Sequence, residues 1–210
     1  MDKMQYFLIW MVPFLFSLSF HEFAHAWVAD RYGDPTARLM GRMTVNPVAH
    51  VDPIGTLLFP TLSFFTGFSF IGWAKPVPVN ERNLRNPLRD GMIVAIAGPA
   101  SNILLALVFT LFLYLSNRWT LEMAFMKPLQ LMVLTGIKLN VFLAFFNLLP
   151  FPPLDGGRVI YGLFPALHEQ LDWMSRYGFI ILIIMMYTGL FSILLYPAQI
   201  FGNLLIQLTI

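Results

Sequence analysis

The sequence contains no cysteine and few charged residues. Among 210 residues there are 13 Lys and Arg against 11 Asp and Glu, so 11% are charged, whereas 58% are hydrophobic. Ordinary soluble domains carry about 25% charged residues, which excludes a water-soluble globular protein. The absence of cysteine excludes a disulfide scaffold, an iron–sulfur cluster and a thiolate zinc site. Only His, Asp and Glu remain as strong metal ligands, and the net charge of +2 does not indicate nucleic-acid binding.

Long apolar stretches instead indicate a polytopic protein of the lipid bilayer. Five stretches are almost free of charge, and proline-rich polar loops separate them: 4–29, 54–74, 92–117, 129–149 and 178–196. A membrane-spanning helix needs about 20 apolar residues. We therefore expect one membrane-embedded, all-α domain over residues 1–210, with about four transmembrane helices at 4–29, 92–117, 129–149 and 178–196. A cleaved signal peptide is the weaker interpretation of the N-terminus, since its apolar centre would not hold ionisable groups.

The stretch 54–74 can cross the membrane or can enter it and return. If it crosses, Lys and Arg divide as 7 and 5 between the two sides, with Lys138 inside a span. If it returns, they divide as 9 and 3, which is the sharper positive-inside bias. This count favours a re-entrant region at about 40–80, between the first and second transmembrane helices.

The first apolar stretch contains His21, Glu22 and His25. Residues four apart lie on one face of a helix, so both imidazoles can bind the same metal ion. Glu22 flanks the pair, at the place of a general base for a metal-activated water. Ionisable groups at membrane depth are costly and are functional candidates by default. The alternative is a structural pair of histidines that are hydrogen-bonded within the helix bundle.

A third metal ligand has to come from elsewhere in the chain, because catalytic zinc sites commonly use two His and one carboxylate. The best candidate is Asp155, which follows a run with Pro150, Pro152 and Pro153. These prolines must unwind the helix, which is tolerated at membrane depth only beside protein or water. Helix capping is the alternative role of Asp155. One ion can bind all three residues only if an even number of crossings separates them, which again favours the re-entrant topology.

With these motifs in place, the sequence resembles the site-2 protease family of intramembrane zinc metalloproteases over nearly its whole length, as a compact member without a PDZ domain. Matching motifs are His21-Glu22-x-x-His25, Asn147-x-x-Pro150-x-Pro152-x-Leu154-Asp155-Gly156, Gly98-Pro99-x-x-Asn102 and the flanks of the re-entrant segment at 41–56 and 72–80.

The resemblance implies a zinc metalloendopeptidase that hydrolyses a peptide bond in or near the transmembrane segment of another membrane protein. One Zn²⁺ per chain would be bound by His21, His25 and Asp155, with Glu22 as the general base. The re-entrant region would contain short β-strands, to which an extended substrate could add at 73–80. The substrate would be a single-span membrane protein. The location would be the cell (inner) membrane, with the active site near the cytoplasmic face.

The remaining polar residues have two interpretations each. Asn147 is predicted to bind substrate by the same resemblance, together with Pro150 and Pro152. Helix-to-helix hydrogen bonding is the alternative role of Asn147 and of Asn140, and for Asn102 this packing role is favoured over substrate binding.

Two basic side chains and the wider function also leave alternatives. His50 is either a fourth ligand or gate, or a structural hydrogen-bonded group, and the second is favoured. Lys138 lies about 200° from Asn140 around its helix, and we expect a structural or snorkelling role. A metal transporter or sensor that uses the same ligands is the alternative function. A homo-oligomer is left open.

Overall fold

The computed structural model describes residues 2–67, 72–118 and 125–210, and this part of the chain is helical, as predicted. The α-helices are α1 (Lys3–Arg31), α2 (Thr36–Leu39), α3 (Phe59–Thr66), α4 (Pro87–Ser116), α5 (Met126–Asn147), α6 (Asp155–Leu163), α7 (His168–Tyr187), α8 (Leu190–Leu194) and α9 (Tyr196–Gln207). Short 3₁₀ turns lie at Pro47–Ala49, Glu81–Asn83 and Pro165–Leu167, and a π-helical turn at Pro53–Leu58 leads into α3.

Three helices form the scaffold, because α1, α4 and α5 pack against one another. These are the three described helices that are long and apolar enough to cross a membrane. Large side chains on the outer face of α4 are more than half exposed, including Leu104 at 62% and Leu111 at 58%. An apolar face of this kind marks a membrane interaction, so we assign it to contact with lipid.

The C-terminal helix α9 is docked on this scaffold. Its Ala198 and Leu205 join a buried cluster with Ile137 and Val141 of α5 and with Ala106 of α4. At 12 residues, α9 is about 18 Å long, which is too short to cross the bilayer.

The predicted fourth span at 178–196 is not one continuous helix. α7 ends at Tyr187, and Gly189 adopts a left-handed conformation with φ of 77° before α8 begins. Such a backbone conformation favours glycine and interrupts a helix. The number of membrane crossings therefore stays a prediction.

The prediction of short β-strands between the first two spans is wrong for the residues that the structure describes there. Residues 72–80 form neither a helix nor a paired strand in the described ranges. Pro76 and Pro78 have no N–H to donate to a ladder. The N–H of Val77 instead bonds to the Glu22 carboxylate, and the N–H of Asn80 bonds to the Asp34 carboxylate.

The two ends of the stretch 54–74 lie side by side. Thr56 Oγ1 donates to the Trp73 carbonyl at 2.8 Å, and the Lys75 N–H donates to the His50 carbonyl at 2.9 Å. The helical part, Pro53–Thr66, is about 21 Å long, shorter than the roughly 30 Å hydrocarbon core. This arrangement is the one that a re-entrant segment requires.

Asp34 ties the end of α1 to the segment that leads into α4. Its carboxylate accepts hydrogen bonds from Thr36, from the Asn83 side chain at 2.9 Å and from the Asn80 N–H at 2.7 Å. Burial alone would raise the pKa of Asp34, but these hydrogen bonds outweigh it and hold the pKa below its ordinary value. The carboxylate thus stays ionised and keeps residues 80–83 against the end of α1.

Candidate metal centre and active-site cavity

The two histidines of α1 lie on one face of the helix, as their spacing predicts. Both side chains are buried, and their Nε2 atoms are 3.0 Å apart. Two imidazole nitrogens at this distance share a proton or bind one cation. The partners of the opposite ring nitrogens decide which atoms carry protons.

Each histidine has its Nδ1 bound to a carbonyl oxygen on α4. His21 Nδ1 lies 2.7 Å from Asn102 Oδ1, and His25 Nδ1 lies 2.7 Å from the Val94 carbonyl oxygen. Because carbonyl oxygens only accept, both Nδ1 atoms must donate. Each neutral ring therefore keeps the lone pair on its Nε2, which is the tautomer that binds a metal.

Asp155 completes this group from the first residue of α6. Its Oδ2 lies 3.2 Å from His21 Nε2 and 3.3 Å from His25 Nε2. The following Gly156 is required, because a Cβ there would lie 2.2 Å from the Leu149 carbonyl oxygen. The chain can therefore fold back tightly from the end of α5 and place the carboxylate beside the histidines.

The three side chains fit a metal ion. Asp155 Oδ2 is buried and has no hydrogen-bond donor in the described part of the chain, so three lone-pair atoms converge on one point. Ligands about 2.0 to 2.1 Å from a tetrahedral zinc ion lie about 3.3 Å from one another. The observed separations of 3.0, 3.2 and 3.3 Å are close to this value. His21, His25 and Asp155 therefore form a group that could hold a metal ion.

Gly98 allows α4 to approach the histidine pair. A Cβ at this position would lie 2.3 Å from His25 Nε2 and 2.6 Å from His21 Cε1. Any side chain there would push the metal-binding nitrogens out of place. The Gly98-Pro99 pair thus supports the site by making room for it.

Asn102 and Asn140 lie behind the histidines rather than in the cavity. Asn102 Nδ2 donates to Asn140 Oδ1 at 2.8 Å, and Asn140 Nδ2 donates to Ser17 Oγ at 2.8 Å. Both asparagines are completely buried. This burial and these hydrogen bonds favour helix-to-helix bonding and orientation of His21, while substrate binding by either residue stays a prediction.

We expect replacement of Asn102 with Leu to weaken metal binding by about 10- to 100-fold, the usual effect of losing such a partner. The His21 Nδ1–H would lose its acceptor, so the ring could rotate and change tautomer. Metal affinity, measured by competition with a chelator, checks this. Asn147→Leu is the matched control because Asn147 bonds within its own helix, to the Leu143 carbonyl. Equal affinities in the two variants would contradict the orienting role.

Glu22 is buried, and the backbone of the segment at 72–80 binds it. Its Oε2 accepts a hydrogen bond from the Val77 N–H at 2.7 Å. Arg42 fixes this segment, because its guanidinium donates to the Lys75 carbonyl at 2.8 Å and to the Pro76 carbonyl at 3.3 Å. Glu22 Oε2 is thus held in place by this segment, and the Glu22 side chain lines the same cavity as His21, His25 and Asp155.

We expect Val77→Pro to lower the rate of proteolysis and to leave the metal bound. Proline removes the one backbone donor between Pro76 and Pro78, so Glu22 would lose the group that positions it. Val77→Ala keeps the N–H and is the control. The measurement is kcat together with metal content. A Val77→Pro enzyme as fast as Val77→Ala would show that this hydrogen bond is dispensable.

A cavity of about 990 Å³ opens beside these groups. His21, Glu22, His25 and Asp155 all line it. The other walls come from residues 72–79, from the end of α5, from α6 and from α7. The two imidazoles and two carboxylates therefore face a space large enough for a segment of polypeptide.

The remaining predicted residues differ in their relation to this cavity. Asn147 and Pro152 line it, whereas Pro150 is not part of its lining. His50 is buried, and its Nε2 lies 2.7 Å from the Thr44 carbonyl. It does not belong to the metal-binding group found among the described residues. Lys138 is exposed on α5 and lines a different cavity.

Sequence reasoning missed the backbone groups of the site. The Val94 carbonyl and the Val77 N–H contact His25 and Glu22 directly, but their identity does not depend on the side chain. One signal was available: Pro76 and Pro78 leave Val77 as the only N–H donor of that tripeptide. Arg42, which holds this segment, was not assigned a role either.

Comparisons with known proteins agree with this geometry. The family model described as Peptidase family M50 matches residues 9–136 and 119–187. YwhC of Bacillus subtilis is 40% identical over 205 residues, covering 94% of this chain and 90% of its own. Rip2 of Mycolicibacterium smegmatis is 31% identical over 87% of this chain and 68% of its own, and MJ0611 of Methanocaldococcus jannaschii is 32% identical over 73% and 70%.

All three relatives are named as candidate zinc metalloproteases. No solved structure matches the chain. The family model and these relatives together cover most of the sequence, including His21 and His25. The chain therefore belongs to peptidase family M50, the site-2 protease family of metalloproteases.

Proposed function

We propose that this protein is an intramembrane zinc endopeptidase, which cleaves a peptide bond in or near the transmembrane segment of a membrane protein. The observation that carries the proposal is the position of the metal-binding histidines and Glu22 within α1, a helix of membrane-spanning length. A soluble peptidase would have no reason to place these ionisable groups in such a helix. The substrate class that meets them there is a single-span membrane protein.

The residues of the site have distinct chemical roles in this proposal. His21, His25 and Asp155 hold one Zn²⁺, which supplies Lewis acidity when it is bound. Glu22 takes a proton from the attacking water and passes it to the leaving amine. The Val77 N–H keeps the Glu22 carboxylate oriented for both transfers.

The substrate helix has to be unwound before its peptide bond can be attacked, because helical carbonyls are bonded internally. Residues 72–79 line the cavity, and so do Asn147 and Pro152. The wall at 72–79 is not helical, and an unwound substrate can lie beside it as an extended strand. Asn147 is the polar side chain positioned to bind the unwound backbone.

The proposal places the site near the cytoplasmic face of the cell membrane. Its basis is the positive-inside bias, with nine Lys and Arg on the side of the re-entrant loops. The hydrogen bonds that join residues 50–56 to 73–75 support a re-entrant segment. Both arguments require that Leu39 and Arg82 face the same side of the membrane.

We expect cysteines introduced at Leu39 and Arg82 to react with an impermeant maleimide from the same side, and a cysteine at Arg118 from the opposite side. All three residues are exposed, and the chain has no native cysteine that would react. The measurement compares labelling of intact cells with labelling of inverted vesicles. Labelling of Leu39→Cys and Arg82→Cys from opposite sides would contradict the re-entrant topology.

The function itself is tested by purifying the protein, measuring its bound metal and offering it a panel of single-span substrates. The proposal predicts bound zinc, cleavage within or beside the span, and loss of cleavage after chelation. A soluble peptide of the same sequence, cleaved equally fast without detergent or lipid, would contradict the intramembrane assignment.

A further inference from the structure

Lys138 is a cation in the middle of a membrane-spanning helix that the proteolytic mechanism does not use. It lies about 18 Å from the start of α5 and about 14 Å from its end. Its side chain is exposed, and it forms no ion pair with any residue in the described ranges. Ionisable residues at this depth almost always pair with another group or face a cavity.

A second cavity of about 630 Å³ surrounds Lys138 and shares no residue with the catalytic cavity. Four uncharged polar residues line it, namely Thr135 of α5, Ser192 of α8, and Gln199 and Asn203 of α9. Within the described ranges their side chains form no hydrogen bond. Gln199 and Asn203 are four residues apart and therefore lie on one face of α9.

The apolar walls of this cavity suit a helix rather than a small ion. Trp10 of α1, Phe142 of α5, Phe191 of α8 and Leu195 line the cavity, and the Phe142 and Phe191 rings lie 6.4 Å apart. Large apolar surfaces around one unpaired cation complement an apolar segment with a single negative charge. The free amides of Gln199 and Asn203 supply additional donors for a carboxylate.

The chain itself does not provide this negative charge. Its acidic residues at membrane depth, Glu22 and Asp155, are committed to the catalytic centre. A second copy of the chain therefore has no free carboxylate to offer in α1, α4 or α5. Anionic lipid headgroups lie at the interface, farther from Lys138 than its side chain reaches.

We propose that this cavity is a docking site for the transmembrane helix of a partner protein that carries one Asp or Glu near the middle of its span. The carboxylate pairs with Lys138 and accepts hydrogen bonds from Gln199 and Asn203, while the apolar part of the helix packs on Trp10 and Phe142.

The docking site lies next to the catalytic cavity. Phe142 stacks on Phe146 with ring centroids 5.8 Å apart, and Phe191 lies 5.4 Å from Phe146. Phe146 lines the catalytic cavity. A helix that binds at Lys138 therefore contacts the residues that support one side of the proteolytic site.

The test uses the full-length protein in vesicles of neutral phosphatidylcholine. The probe is a fluorescent, leucine-rich single-span helix with one central Asp, and matched helices carry Asn or Leu at that position. Energy transfer to the labelled protein measures association. Lys138→Met removes the proposed partner, and Lys127→Met is the matched control because it removes an exposed charge from the first turn of the same helix. Lys138→Asp reverses the charge of the site and is tested with a further matched helix that carries a central Lys.

We expect the Asp helix to associate about 10-fold more tightly than the Leu helix. Lys138→Met should abolish this preference, Lys127→Met should keep it, and Lys138→Asp should transfer it to the Lys helix. Equal association of the Asp and Leu helices with the wild-type protein would overturn the proposal. So would a preference that survives Lys138→Met. Binding of phosphatidylglycerol through Lys138, without any preference for the Asp helix in neutral vesicles, would assign the cavity to lipid and overturn it as well.

Discussion

Replacement of Glu22 with Gln should reduce kcat for a membrane-spanning substrate by about 10³-fold or more while the protein retains its metal. The size follows from the contribution of a positioned general acid–base group, about 10² to 10⁴. Gln has nearly the same shape, and its Oε1 can still accept the hydrogen bond from the Val77 N–H. What the variant loses is the ability to take a proton from water.

The measurement pairs single-turnover cleavage with metal analysis of the same preparation. Metal content must stay at the wild-type level, because Glu22 is not part of the group formed by His21, His25 and Asp155. Normal cleavage by the variant would remove Glu22 from the mechanism. The same variant separates proteolysis from metal transport: a transporter that uses the three ligands for passage would carry zinc normally after Glu22→Gln.

The local part of the site could be predicted from sequence because helix geometry determines it. Once α1 is helical, His21 and His25 must share a face, and their observed Nε2 separation of 3.0 Å is the result. Asp155 is far away in sequence, yet it was predicted by elimination among the strong ligands and by the proline and glycine residues around it. Those residues unwind the chain and allow the close turn at Gly156.

The parts that could not be predicted depend on tertiary contacts of the backbone. Residues 73–80 have a pattern suited to an edge strand, but a strand exists only if another strand pairs with it. Here the Glu22 and Asp34 carboxylates accept the N–H groups of Val77 and Asn80 instead. For Asn102 the sequence leaves two roles open, and it does not show how α4 packs against α1 and α5. That packing buries Asn102 and directs its Oδ1 to His21.

Replacement of Asp155 with Ala should abolish metal binding at stoichiometric concentration and, with it, proteolysis. Only two of the three ligands, the imidazoles, would remain. The affinity for the metal should therefore fall by more than the 10- to 100-fold that is lost when a hydrogen-bond partner of a ligand is removed. Asp155 also contributes the negative charge that offsets part of the charge of a divalent cation in a buried site. Metal analysis after gel filtration, together with chelator competition, measures the loss.

Asp172→Ala is the matched control, because Asp172 also lines the cavity but is not part of the metal-binding group. It should bind metal with wild-type affinity. Circular dichroism and elution volume show whether Asp155→Ala remains folded, so that loss of metal can be separated from loss of structure. A folded Asp155→Ala protein with full metal content would contradict the three-ligand site. Loss of metal in Asp155→Ala together with its retention in Glu22→Gln would identify Asp155 as a metal ligand and Glu22 as a residue that does not bind the metal. The structure indicates the same roles, because Asp155 Oδ2 faces both histidine Nε2 atoms whereas the Val77 N–H holds Glu22.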